Sequence, residues 1–236
     1  QNIDNRRIKW IKNFNSIKKG PVIFFGNEFF DAIPIKQFSN INNELFEKCY
    51  SVKDNIDIIE KFIRSNKKDV AQIMTFGTLK KLKFIEFPKK GLIELNPIIK
   101  KINKLSGGIL LIDYGYLNSN NSNTIQAVMD NKKISTKTML KNLGKADITS
   151  LVNFNLLKEY FLKHNLKVKK VVTQRFFLER MGIIERAHIL EKKRTNEEQK
   201  YMKETLSRLL EEKQMGSLFK VIFGYKNKSN NFFGFE

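Results

Sequence analysis

The chain has 236 residues, enough for one large domain or two small ones, and its 41% hydrophobic and 29% charged residues describe a soluble globular protein. A net charge of +20 admits nucleic acid or an anionic surface as partner, but the lysines are spread along the whole chain instead of forming one patch. The single Cys49 excludes an internal disulfide, and no apolar run reaches the length of a membrane span.

The chain begins with Gln1 and not Met, and reads as a piece of a longer one. Ile8, Trp10 and Ile11 are expected to form a strand, followed by a polar turn to Gly20. The stretch PVIFFGNEFFDAIPIKQF, residues 21–38, organises the rest of the chain. Pro21 to Phe25 carry no charge and read as a strand buried on both faces of a parallel sheet. The run stops at Gly26, and Asn27, Glu28 and Asp31 arrive at once, where ligands sit in open α/β sheets. Asn27 and Asp31 also suit a simple turn cap. Glu28 is different: a carboxylate beside Phe29 and Phe30 needs a partner.

Ile35 to Tyr50 alternates as antiparallel strand material. Ile56, Ile59, Phe62 and Ile63 recur at helical spacing behind Asp54. Leu82 to Phe87 reads as strand, Pro88 to Gly91 as a turn, and Pro97 to Leu105 as a short helix with Pro97 in its first turn. Ile109 to Ile112 is a second buried strand, and it too ends in an acid, Asp113, followed by Tyr114. A Ser/Asn loop, a helix over Phe154 to His164 and a strand over Val168 to Thr173 come next. Thr195 and Glu198 form a capping box that opens a helix to about Gln214. Its apolar side, Tyr201, Met202, Leu206, Leu209 and Leu210, is expected in the core, and Gly216 is expected to end it. Leu218 to Phe223 reads as a final strand and residues 227–236 as a flexible tail. Strands alternating with helices imply an α/β sheet.

There is no GxGxxG, P-loop, HExxH, CxxC or G-x-S-x-G pattern, and His164 and His188 lack neighbours at ligand spacing, so no metal is expected. Two acidic strand ends, Glu28 and Asp113, remain.

Several segments together then resemble one family. GNEFFDAIPIKQF, GGILLIDYGY with NTIQAV, KADITSLVNF, TQRFFLERMGI and MGSLFKVI are similar to the MidA family of S-adenosylmethionine-dependent methyltransferases, whose mitochondrial member is a complex I assembly factor that methylates arginine. The resemblance implies a class I, Rossmann-like methyltransferase sheet that is incomplete, lacking the first strands and the glycine-rich loop that hold the cofactor. On that reading residues 1–226 are the C-terminal part of the methyltransferase domain, with residues 36–106 as a substrate-side insertion. The fragment is then expected to be inactive unless the remainder is supplied. The resemblance further implies S-adenosylmethionine as cofactor and a protein client, a respiratory complex I subunit, in a bacterial cytoplasm or the mitochondrial matrix. A nucleic-acid methyltransferase and a non-catalytic assembly module are the alternatives. Leu151 and Asn153 stand where the family usually carries His and Asp.

Carried onto this chain, the resemblance gives Glu28 and then Asp31 as the carboxylates that grip a guanidinium, with Gly26 and Asn27 toward the cofactor. Phe29, Phe30, Asp113, Tyr114, Asp147, Thr173 and Gln174 are the expected substrate-side residues.

Overall fold

A computed structural model describes residues 8–53, 57–118, 121–228 and 231–236. In chain order its elements are β1 (Val22–Asn27), β2 (Lys36–Ile41), β3 (Glu44–Lys53), β4 (Asp57–Arg64), α1 (Lys67–Ile73), α2 (Gly77–Lys80), β5 (Phe84–Phe87) and α3 (Lys89–Leu105). The middle of the chain adds β6 (Gly107–Tyr116), β7 (Gln126–Met129), β8 (Lys132–Ile134), α4 (Thr136–Lys141), β9 (Asp147–Thr149), β10 (Val152–Asn153) and α5 (Phe154–Lys163). The last are β11 (Lys167–Val168), β12 (Val172–Thr173), α6 (Gln174–Arg180), α7 (Ile183–Glu191), α8 (Asn196–Leu210), α9 (Met215–Leu218) and β13 (Phe219–Lys226).

The main sheet is mixed. β1 runs parallel to β6, β13 lies antiparallel on the other side of β6, and β11 and β12 pair with β13. β6 is nearly continuous apolar sequence because it has a strand on each side and helices packed on it. Gly107 starts it at φ +116°, and a Cβ there would lie 1.8 Å from the Val22 carbonyl oxygen, so β1 and β6 come together only over a glycine. The core gathers Phe38, Ile85, Phe87, Ile109, Leu111 and Ile222 with the inner faces of α3 and α5. Leu92, Leu95, Ile98, Ile99 and Ile102 give α3 its buried stripe at helical period.

A four-stranded antiparallel sheet, β4-β3-β2-β5, and a three-stranded one, β8-β7-β9, flank this core. Asn42 and Asn43, both at positive φ, make the tight turn between β2 and β3, and Asp130 and Asn131 do the same between β7 and β8. Asp69, fully buried in α1, is tied to this region by Lys36 (2.7 Å), Lys89 (2.6 Å) and Asn66 (2.7 Å). Burial pushes its carboxyl up, and those hydrogen bonds reverse the effect and hold it well below the usual range.

Several expectations are corrected. β1 is not buried on both faces: it pairs only with β6 among the described residues, and Ile23 and Phe25 are 74% and 65% exposed. α3 packs on β1, but the face carrying these two side chains is open. Residues 8–11 form no strand and their apolar side chains are exposed. The segment expected as a helix is strand β4, in a hairpin with β3; Asp54 and Ile56 lie outside the described residues. Its i, i+3, i+4 spacing arises because both faces of the hairpin carry apolar residues, and β-branched isoleucines then favour the strand.

Pro88 to Gly91 is not a turn. Pro88 is the cap of a 17-residue helix that runs through Pro97, whose missing N–H is outweighed by the buried stripe around it. The 168–173 strand is two short pieces, β11 and β12. The capping box on α8 is present, but none of its apolar side is buried, and Gly216 lies inside α9. At the C-terminus Phe232 and Phe235 pack on Phe223, at 4.9 and 6.0 Å between ring centroids.

Candidate active site

The carboxyl ends of β1 and β6 lie side by side, with Asn27 opposite Ile112. The loop after β1 therefore begins at Glu28, level with Asp113. Glu28 takes φ +49° and donates its N–H to the Ile112 carbonyl (3.0 Å), which turns the chain back over β6. The next three amides, of Phe29 (3.1 Å), Phe30 (2.8 Å) and Asp31 (3.3 Å), all donate to Asp113 Oδ2. Asp113 Oδ1 accepts from the Tyr114 N–H at 2.9 Å. A residue 2% exposed thus spends both carboxyl oxygens on backbone, and the loop 28–31 is wrapped on it.

Burial pushes the Asp113 carboxyl up to about 7; the amides of Phe30, Asp31 and Tyr114 pull it down and the nearby Asp31 raises it further. Between the ordinary value of 3.8 and about 7 the folded state holds a proton that the unfolded state has released, so stability falls as pH rises through this window. A carboxyl raised by one pH unit on folding changes stability by about 1.4 kcal/mol across such a window. Unfolding free energies of the wild type and Asp113→Asn, measured from about pH 4 to 8, are expected to show a difference that changes over that interval; a constant difference would contradict it.

The loop separates its side chains by exposure. Asn27, Glu28 and Phe29 face outward, and the Asn27 amide reaches Glu28 Oε1 at 3.4 Å. Phe30 is buried, stands edge-on to Phe29 at 5.6 Å, and closes over Gly91 of α3. Asp31 is also buried. Its Oδ2 accepts the Tyr114 hydroxyl, its carbonyl accepts the Ser150 N–H (3.0 Å), and its Oδ1 has no donor among the described residues. Burial first, then the hydrogen bond to Asp31, raises the Tyr114 hydroxyl above its ordinary value, and the Thr149 side chain also bonds it.

The structure thus brings together Gly26, Asn27, Glu28, Phe29, Phe30, Asp31, Asp113 and Tyr114. Gly26 serves packing, since a Cβ there would meet Leu111 Cδ2 at 2.9 Å. The others lie farther off. Asp147 is exposed on β9. Thr173 sits two strands across from Asp113, through Lys220, and caps α6 by accepting the Phe176 N–H at 3.2 Å. Gln174 donates to the Leu209 carbonyl at 3.1 Å. Asn153 caps α5, while the Leu151 N–H donates to Thr124 Oγ1 at 3.0 Å.

Sequence reasoning missed Thr149 and Ser150 as partners of Tyr114 and Asp31. It also missed Glu86, a buried carboxylate held by Gln37 (2.9 Å) and Thr124 (2.9 and 2.5 Å) that ties β5 to the 121–125 loop. The adjacent Thr-Ser in KADITSLVNF was the available signal for the first two; Glu86 gave none.

A family model described as "Putative S-adenosyl-L-methionine-dependent methyltransferase" matches residues 1–172. The Caenorhabditis elegans mitochondrial protein arginine methyltransferase NDUFAF7 homologue is 29% identical over 218 residues, 91% of this chain and 50% of its own. The human NDUFAF7 protein is 22% identical over 213 residues, 90% of this chain and 47% of its own. A solved structure from Burkholderia thailandensis, bound to S-adenosyl-homocysteine, shares the fold with a TM-score of 0.75 at 18% identity, over 98% of this chain and 58% of that one. The chain spans about half the length of the curated relatives it matches.

Proposed function

Because the chain belongs to this family of S-adenosyl-L-methionine-dependent methyltransferases, we propose that it forms the acceptor side of a protein arginine methyltransferase whose client is a respiratory complex I subunit. The observation that supports this reading is the loop 27–31, folded on Asp113 at the ends of β1 and β6, which sets an exposed and a buried carboxylate close together in sequence. The relatives that carry the name of protein arginine methyltransferase supply the acceptor class. The order β1-β6-β13 with β13 antiparallel is read as one side of a class I sheet. The open edge of β1, with Ile23 and Phe25 exposed, is where its first strands and glycine-rich loop would pair.

The residues present fit the cofactor in part. Asn27 stands exposed at that open edge and suits its polar, ammonium-bearing end, whereas the space beside Gly26 is filled by Leu111 and Phe29. Among the described residues no glycine-rich loop opens a helix beside β1. S-adenosylmethionine, when bound, supplies an electrophilic methyl group. The chain's own part is positioning, because an in-line displacement depends on aim. A guanidinium is a planar, five-donor cation, and a carboxylate fixes its plane. Glu28 meets it on arrival, Asp31 lies deeper, and the exposed ring of Phe29 can stack on it. Asp113 and Tyr114 act through the loop as positioning residues.

The reading is tested by giving the full-length protein isotope-labelled S-adenosylmethionine with separated complex I subunits and locating the label by mass spectrometry. Label on an arginine side chain is expected. Label in RNA, with binding that weakens steeply in salt, would replace the reading by a nucleic-acid methyltransferase, and client binding without label by an assembly module.

A further inference from the structure

The hairpin of β3 and β4 reaches past the sheet it belongs to. β2 pairs with Glu44 to Glu47 only, whereas β4 pairs with β3 from Phe46 out to Lys53, so the far part of the hairpin is a two-stranded ribbon. β4 is the outer edge of its sheet and pairs with nothing but β3 among the described residues. Glu60, Lys61, Phe62, Ile63 and Arg64 are all exposed, Phe62 at 44% and Ile63 at 50%. No bulge interrupts the register from Asp57 to Arg64 and no proline lies in it, so this edge is regular and open to a further strand. The ladder also shows which groups point outward. The Ser65 N–H donates to the Leu45 carbonyl at 2.9 Å. Bonded and free pairs alternate in an antiparallel ladder, so Ile63 and Lys61 bond inward to β3, while Arg64, Phe62 and Glu60 turn their N–H and C=O groups to the free side.

We propose that this edge is where two copies of the chain join, β4 against β4, about a two-fold axis through Phe62. Such an axis stands perpendicular to the sheet and keeps every side chain on its own face, so the exposed run must be its own complement when reversed. It is. Phe62 meets its own copy, Glu60 meets the partner's Arg64, and Lys61 lays its aliphatic stem along the partner's Ile63. The outward backbone groups of Glu60, Phe62 and Arg64 are then the ones that exchange hydrogen bonds. Charge selects a second copy as the occupant. Within one chain Glu44 bridges Arg64 and Glu60 bridges Lys48, each at 2.7 Å. The two-fold joins these pairs into one row of alternating sign: Glu44, Arg64, the partner's Glu60 and the partner's Lys48. An axis through Lys61 or Glu60 would instead set like charges directly opposite. Two chains of net charge +20 repel as wholes, but residues 44–64 hold five carboxylates against four basic side chains, so the hairpin is where two copies meet with least repulsion.

Sedimentation equilibrium of the full-length protein tests this. A dimer that dissociates in the micromolar range is expected, because the seam is small for a protein interface. Phe62→Lys sets a cation on its own copy at the axis and is expected to raise the dimer Kd about tenfold or more. Its unfolding midpoint at a concentration where both proteins are monomeric is expected to match the wild type, since the side chain is exposed. A second arm reads the register, with Cys49→Ser removing the native thiol. Phe62→Cys is expected to give a disulfide-linked dimer under mild oxidation, because directly opposite Cα atoms lie about 5.5 Å apart. Lys61→Cys, displaced along the strand from its own copy, is expected not to cross-link. A wild type that stays monomeric through the micromolar range, a dimer indifferent to Phe62→Lys, or cross-linking through Lys61→Cys in preference to Phe62→Cys would overturn the proposal. So would a monomer whose β4 edge captures an extended peptide of different sequence, which would make the hairpin a docking strand for another protein.

Discussion

Replacing Asp113 by alanine is expected to destabilise the protein by about 3–5 kcal/mol. The side chain accepts the amides of Phe29, Phe30 and Asp31 on one oxygen and that of Tyr114 on the other. Removing it leaves these buried or half-buried donors without an acceptor, in a place where water enters only by prying the 28–31 loop off β6. Each orphaned donor costs about 1–3 kcal/mol, and some of that is recovered as the loop loosens. Asp113→Asn keeps one acceptor oxygen and is expected to lose about half as much. Urea unfolding would show it as a lower midpoint with unchanged slope. A loss below about 1 kcal/mol for the alanine variant would mean that the loop is held by something else.

Removing both loop carboxylates, as Glu28→Gln with Asp31→Asn, is expected to lower kcat/KM for arginine methylation about 10²–10³-fold in the full-length protein. Neither substitution changes side-chain volume much, and Asp31→Asn can still accept the Tyr114 hydroxyl. What disappears is negative charge: the amides can no longer select a cation or grip its fork with two oxygens. Steady-state kinetics distinguishes the cases, since lost aim lowers kcat while lost uniform binding raises KM.

Much of this arrangement was legible in the sequence, and for a local reason. An apolar run that stops at Gly26 and is followed at once by Asn27, Glu28 and Asp31 announces a strand end with polar groups on it, and Ile109 to Asp113 repeats the pattern. What joins the two ends was not legible. The Asp113 cradle connects residues more than 80 positions apart, and nothing in NEFFDA states that its amides need a distant acceptor. The same blindness made Glu28 look like the partnered carboxylate and Asp31 like a cap, whereas the structure exposes Glu28 and buries Asp31.

Local periodicity failed where tertiary context overrode it. Ile59, Phe62 and Ile63 match a helix until β3 is seen to pair with them, and Pro97 looks like a helix start until the buried Leu92 and Leu95 upstream carry the helix through it. The apolar side of α8 reads as core and is not buried, because period alone cannot say whether a neighbouring element covers a stripe.

The most direct measurement is a crystal structure of the full-length protein with S-adenosyl-homocysteine and an arginine peptide from its client. It should place the guanidinium beside the loop after β1, with a nitrogen within about 3 Å of an Asp31 or Glu28 carboxyl oxygen. A guanidinium seated elsewhere, with the 27–31 loop facing only solvent, would contradict the account.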